Sequence, residues 1–312
     1  MSQSYLEIAQ QGKNSLWRHL LAILLILFFW IVIGTIVTSI AIVIILLRDG
    51  LALSEFSPEQ VTTFLKSASV ESFITLNLPS IFFAIGIFLA VEWLHKRKFR
   101  TLINGSAKVN YQRILAGFGV WFLMQAVFVG AGLIFEAKNY EFTFNPLQWF
   151  PLLISALILT PIQTSSEELF FRGYLLQALS HITRNRLVLI FVTSVLFMLP
   201  HLLNPEMQRG AWVALFYFGF GALTALITLK DNRLELALGV HAANNLSFLF
   251  VTTKDSVLAA PAMWTAKDTG DPRLDVLMFL LQSVVFYYIF FGRRKKTIQA
   301  VPEKSESVEK VT

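Results

Sequence analysis

Glu167 and Glu168 are adjacent carboxylates at the end of an uncharged 25-residue run, residues 142–166. Ionisable groups in such apolar surroundings are rare and usually mark a site or a pathway. Arg172 stands four residues after Glu168, and His201 and His241 lie in two later apolar segments. Phe197 precedes His201 by four and Asn245 follows His241 by four, so each pair shares one stripe of a helix. A carboxylate and an imidazole around one water make a general base and an orienter. A second imidazole and a carboxamide donor can steady the oxyanion that follows attack on a carbonyl. Peptide-bond hydrolysis fits this set. Blander readings stand beside it: Glu168 with Arg172 as a helix-end ion pair at a membrane surface, and each histidine as a hydrogen-bond link between helices.

The elements that must bring these residues together are membrane helices. Of the 312 residues, 55% are hydrophobic and 15% charged, and the mean hydropathy is +0.61. A water-soluble surface needs more charge than that. Eight stretches approach the roughly 20 apolar residues that cross a bilayer: 20–47, 72–91, 114–135, 149–166, 187–203, 211–229, 236–253 and 276–291. Backbone groups in lipid must be satisfied within the segment, so the expected fold is all-α and polytopic. The chain has no cysteine, which removes thiolate metal sites, disulfides and a cysteine nucleophile. A net charge of +6 does not point to nucleic acid, because the basic residues gather at the ends of apolar runs. Placing both termini in the cytoplasm puts 19 of the 26 Lys and Arg residues on that side, as the positive-inside rule requires. The expectation is a multi-pass protein of the plasma membrane.

The turn at 180–185 makes a hairpin of the fourth and fifth segments, which sets Glu167 and His201 at about the same height, roughly 25 Å from the turn. A site inside the membrane and open toward the cytoplasm is expected. His19, His95 and His181 fall in loops or at boundaries and read as solvated. Asn104-Gly105-Ser106 matches a glycosylation sequon but lies in a loop placed in the cytoplasm.

Three motifs, Glu167-Glu168-Leu-Phe-Phe-Arg172, Phe197-Met-Leu-Pro-His201 and His241-Ala-Ala-Asn-Asn245, occur in order on separate spans. This set resembles the CAAX protease and bacteriocin-processing family of intramembrane proteases, which includes the type II CAAX prenyl endopeptidases and the Abi proteins. The resemblance covers roughly residues 149–250. It implies that Glu167 and His201 activate water, that His241 and Asn245 stabilise the oxyanion, and that Glu168, Arg172 and Phe197 support the site. It implies a membrane-associated peptide or protein as substrate and no cofactor, with zinc on Glu167, His201 and His241 as the alternative. The implied organisation is a cytoplasmic segment 1–19, three helices in 20–141, a catalytic membrane core in 142–292 and a basic, then polar, cytoplasmic tail in 293–312. A non-catalytic scaffold of the same fold and a transporter with a carboxylate proton relay are the competing functions.

Overall fold

The computed structural model describes residues 4–106, 108–253, 256–257, 260–268 and 270–292. The tail 293–312 lies outside the described residues. A short helix α1 (Tyr5–Ile8) precedes α2 (Leu16–Arg48), α3 (Pro58–Leu65), α4 (Val70–Leu94), α5 (Tyr111–Phe135) and α6 (Pro146–Leu179). These are followed by α7 (Arg186–His201), α8 (Ala211–Asp231), α9 (Glu235–Leu246) and α10 (Pro272–Phe291). Every segment expected to span contains a helix. Among the described residues six are long and apolar enough to cross a membrane, namely α2, α4, α5, α6, α8 and α10. The other two stop short: α7 has 16 residues and α9 only 12. The expected span 236–253 is therefore not one helix. Its end becomes strand β2 (Val251–Thr253), which pairs in parallel with β3 (Trp264–Ala266), and β3 pairs antiparallel with β1 (Tyr140–Phe142). This small sheet is the minor exception to an otherwise all-α, multi-pass membrane fold.

Asparagine and aspartate side chains start several helices by accepting from exposed first-turn N–H groups, which is their usual N-cap role. Asn110 accepts from Arg113, Asn145 from Leu147, Asn185 from Leu187 and Val188, and Asp271 from Arg273. Asn185 thus closes the expected turn, and Asn232, in the left-handed conformation at φ 60°, closes the next one. Helices α5 and α9 touch through small residues. A β-carbon at Gly117 would lie 2.7 Å from the Leu236 carbonyl, and one at Gly239 would overlap the Ile114 carbonyl. Membrane helices associate by such close backbone approach, since lipid gives them no hydrophobic drive.

Hydrogen bonds define the two ends of the bundle. At one end, Leu234 N–H donates to the Ile103 carbonyl, Asn104 and the Asn110 N–H donate to Glu235, and Tyr5 N–H donates to Asn232 at 2.6 Å. This end carries the basic loops. At the other end, the sheet joins residues 140–142 to 251–253 and 264–266, Glu206 accepts from Val257 N–H at 2.8 Å, and Arg209 meets Asp275 at 2.7 Å.

The basic end is more ordered than the sequence suggested. Tyr5 and Ile8 are fully buried, and the Tyr5 hydroxyl donates to the carbonyls of Leu102 and Arg172. His95 is buried, its Nδ1 bonded to the Lys13 carbonyl at 2.9 Å and its Nε2 3.0 Å from the Tyr174 hydroxyl. His19 reaches the same hydroxyl, and its ring stands 4.6 Å from that of His95 and 5.6 Å from that of His181. Of the three histidines expected to be solvated, only His181 is exposed. The others are drawn in because Tyr174, on α6, gives two ring nitrogens a common partner. Asn104 of the sequon is buried on Glu235.

Candidate active site

Four helices supply the site. Helix α6 is α-helical to Glu168 and widens into a π-helix over Leu169–Leu175, a local irregularity often found at functional positions. The two glutamates sit at the junction. Glu168 Oε1 receives Arg172 at 3.0 Å, and both side chains are fully buried. The surface-pair reading is thereby replaced: this pair is inside the protein. The Arg172 guanidinium also lies 4.2 Å over the Phe197 ring, so Phe197 supplies the cation's face contact as well as packing.

The same Glu168 oxygen is 2.8 Å from His241 Nδ1. A carboxylate can only accept, so Nδ1 carries a proton, and Nε2 is turned toward Glu167, whose Oε2 is 3.7 Å away. Arg172, Glu168, His241 and Glu167 thus form one chain across α6 and α9. His201, at the end of α7, gives its Nδ1 proton to the Phe197 carbonyl at 2.7 Å, which leaves Nε2 as an acceptor. Its ring is held between Phe197 and Tyr217, with centroids 4.5 and 4.3 Å away.

Glu167, His201, His241 and Asn245 line one cavity of about 390 Å³. Glu168 and Arg172 lie behind it, Glu168 touching the lining through His241 and Arg172 through Phe197. Asn245 Nδ2 donates to Gln163 Oε1 at 3.1 Å, and Gln163 Nε2 donates to Glu167 Oε1. Gln163 went unnoticed in the sequence. Its signal was available: it stands four residues before Glu167, a spacing that brings two side chains together on a helix. Behind Asn245, Asn244 donates to it at 3.2 Å and accepts from Gln125 on α5 at 3.2 Å. Glu167 Oε1 is therefore occupied, while Oε2 is buried without a hydrogen-bond partner.

A zinc ion on Glu167, His201 and His241 needs three donors converging on one point. Among the described residues no group of three His, Cys, Asp or Glu side chains does so.

The cavity is lined by residues away from the basic loops. Besides the catalytic candidates its lining includes Asn77 and Ser80 of α4, Tyr217 of α8, and Asn204, Glu206 and Val257 from connections at the sheet end. None of the lining residues belongs to the basic end.

A polytopic helical bundle with acid, imidazole and amide groups meeting around an internal cavity defines a membrane-protease architecture. The chain belongs to the Rce1-like family, type II CAAX prenyl endopeptidases, whose model matches residues 146–247, the stretch that holds all three motifs. It is 35% identical over 295 residues to YyaK, an uncharacterized protein of Bacillus subtilis (strain 168), covering 92% of this chain and 95% of that one. No solved structure matches.

Proposed function

We propose that the protein is an intramembrane endopeptidase in which Glu167 acts as general base on a water that His201 helps to hold. The observation that carries this reading is the asymmetry of the Glu167 carboxylate at the cavity: Oε1 is held by Gln163, and Oε2 has no hydrogen-bond partner and lies 3.7 Å from His241 Nε2. A base fixed by one oxygen keeps the other aimed at its proton. His201 presents Nε2 as an acceptor, so water lying between it and Glu167 is oriented by two acceptors and directs a lone pair at the scissile carbonyl. Asn245 keeps one amide hydrogen beyond its bond to Gln163. With His241, whose Nε2 can take from Glu167 the proton removed from water, it supplies donors for the oxyanion. Glu168 and Arg172 orient His241.

The substrate of this reading is a membrane-associated peptide or protein, hydrolysed without a metal in a plasma-membrane enzyme whose termini are both cytoplasmic. The catalytic core is 142–292, and the helices of 20–141 wall the cavity. Cleavage near the cytoplasmic face is the expectation from the sequence, and the lining residues lie toward the other end.

The test is Glu167→Gln in purified enzyme, assayed by the appearance of new peptide ends in candidate membrane substrates. Loss of turnover of at least about a thousandfold is expected, as for removal of an essential base. The variant should keep the wild-type unfolding midpoint. Turnover retained by folded Glu167→Gln would refute the assignment.

A further inference from the structure

We infer that substrate reaches Glu167 from the sheet-bearing face, which is extracytoplasmic when the basic loops are cytoplasmic, so that the protein cleaves external peptides or the external juxtamembrane segments of anchored proteins. This rests on the proteolytic reading for its chemistry, but its geometry stands on separate observations.

Two helices set the opening. Starting from the basic end, α7 rises 15 residues to His201 and stops, and α9 rises 10 residues to Asn245 and stops at Leu246. At 1.5 Å per residue these are climbs of about 22 and 15 Å, well short of the roughly 30 Å hydrocarbon core. Neighbouring α8 and α10 run for 21 and 20 residues, enough to cross it. Where α7 and α9 end, connections and a small sheet take their place. Non-helical backbone at membrane depth is tolerated where it is buried in protein or lines a watered cavity, and Asn204, Glu206 and Val257 of these connections line the cavity.

A second cavity of about 440 Å³ shares Glu206, Phe216, Tyr217 and Asn244 with the first and continues to Tyr140, Arg209 and Asp275 at the sheet end. Together the two offer a path for an extended peptide from the sheet face to Glu167. The opposite route is filled. Below Glu167 lie the buried Glu168 and Arg172, then the buried Tyr174 and Gln177, with Tyr5 bonded to the Arg172 carbonyl and Arg97 donating to Gln177 at 2.7 Å. The basic loops and the cavity mouth are thus at opposite ends, and the charge distribution that makes the former cytoplasmic places the latter outside.

The absence of native cysteine makes the test direct. Val257→Cys places a thiol on the cavity wall at the sheet end while keeping the backbone N–H that bonds Glu206, and Arg184→Cys places one at the basic end. Each variant is treated with a membrane-impermeant maleimide in spheroplasts and in inverted vesicles. The expected result is labelling of Val257→Cys in spheroplasts with loss of labelling in inverted vesicles, and the reverse for Arg184→Cys. Labelling of Val257→Cys from inverted vesicles alone would overturn the inference and leave the proteolytic reading intact. A second arm uses proteoliposomes sorted by orientation and a water-soluble peptide added outside. Cleavage only by enzyme presenting its sheet face supports the inference, and cleavage only through the basic face refutes it. If thiol labelling shows external access but Glu167→Gln cleaves membrane substrates as well as wild type does, the mechanism fails and the access route stands.

Discussion

Gln163 donates an amide hydrogen to Glu167 from one helical turn earlier, and it is the only bridge by which Asn245 is coupled to the proposed base among the described residues. A carboxylate buried against lipid-facing helices needs donors to stay ionised and to stay aimed. Replacing Gln163 with Leu removes one donor to a charged group, a loss of about 1.5–3 kcal/mol. The expected outcome is a fall in kcat on the order of ten- to a hundredfold with KM nearly unchanged, since substrate need not touch Gln163. Steady-state kinetics of Gln163→Leu and Gln163→Glu settle it; a change confined to KM would mean that Gln163 contacts substrate instead.

The Glu168–Arg172 pair calls for a different experiment. Both partners are fully buried, and Arg172 contacts the Phe197 ring and lies close against α8 at Gly221, where an added β-carbon would come within 3.3 Å of its guanidinium. Removing one member of such a pair strands a charge and costs about 3–5 kcal/mol, whereas removing both can be nearly neutral. Glu168→Leu and Arg172→Leu alone should therefore each lower the thermal unfolding midpoint in detergent, and the double variant should recover much of the loss. Activity should stay low in the two variants that lack Glu168, because His241 loses the carboxylate that orients it, and in Arg172→Leu because that carboxylate loses the cation that holds it. Additive destabilisation in the double variant would show that the two side chains act independently.

The site was legible in the sequence to the extent that it is written in helical spacing. The i,i+4 pairs Glu168–Arg172 and His241–Asn245 and the turn before Asn185 fix which side chains share a stripe and a height, and Glu167, His241, His201 and Asn245 do line one cavity. Direction was not legible. The pairing of His241 with both glutamates, and not of His201 with Glu168, depends on how α6 and α9 are rotated, and α9 is seated on α5 through Gly117 of α5 and Gly239 of α9. The burial of Tyr5 and His95 was invisible because the partners lie far away in sequence, 167 residues from Tyr5 to Arg172 and 79 from His95 to Tyr174. Span count misled about the mouth: 236–253 is apolar enough to read as one span, but its last part joins a sheet.

Metal dependence can be tested directly, since the three donors that a zinc site would need do not converge among the described residues. With no three-ligand set among the described residues, turnover should survive dialysis against a strong zinc chelator and should not rise on adding zinc. The measurement is the initial rate before and after chelation, with bound metal quantified in the same sample. Activity lost with the metal and restored by zinc would assign Glu167, His201 and His241 to a coordination site that forms with the ion.

Acid should loosen the seal at the basic end through His95. This ring lies outside the membrane helices, and burial lowers its pKa below the ordinary 6.5, reinforced by the charges of Arg97 and Arg18 and by His181, against a raising effect of the Lys13 carbonyl. His19 and the Tyr174 hydroxyl complete the groups around it. Because the folded state binds the proton less readily than the unfolded chain, the contribution of neutral His95 is full above pH 6.5 and is lost as pH falls from there through the lowered value. Protonation would also put two donors on a ring whose Nε2 now accepts from Tyr174, on the same π-helix as Arg172. The expected outcome is a drop in unfolding midpoint on acidification below pH 6.5 that His95→Asn reduces, since the amide can keep the bond to the Lys13 carbonyl without titrating. Parallel thermal scans of wild type and His95→Asn on both sides of that pH make the comparison, and identical pH dependences would remove His95 from the account of how the N-terminal segment is held.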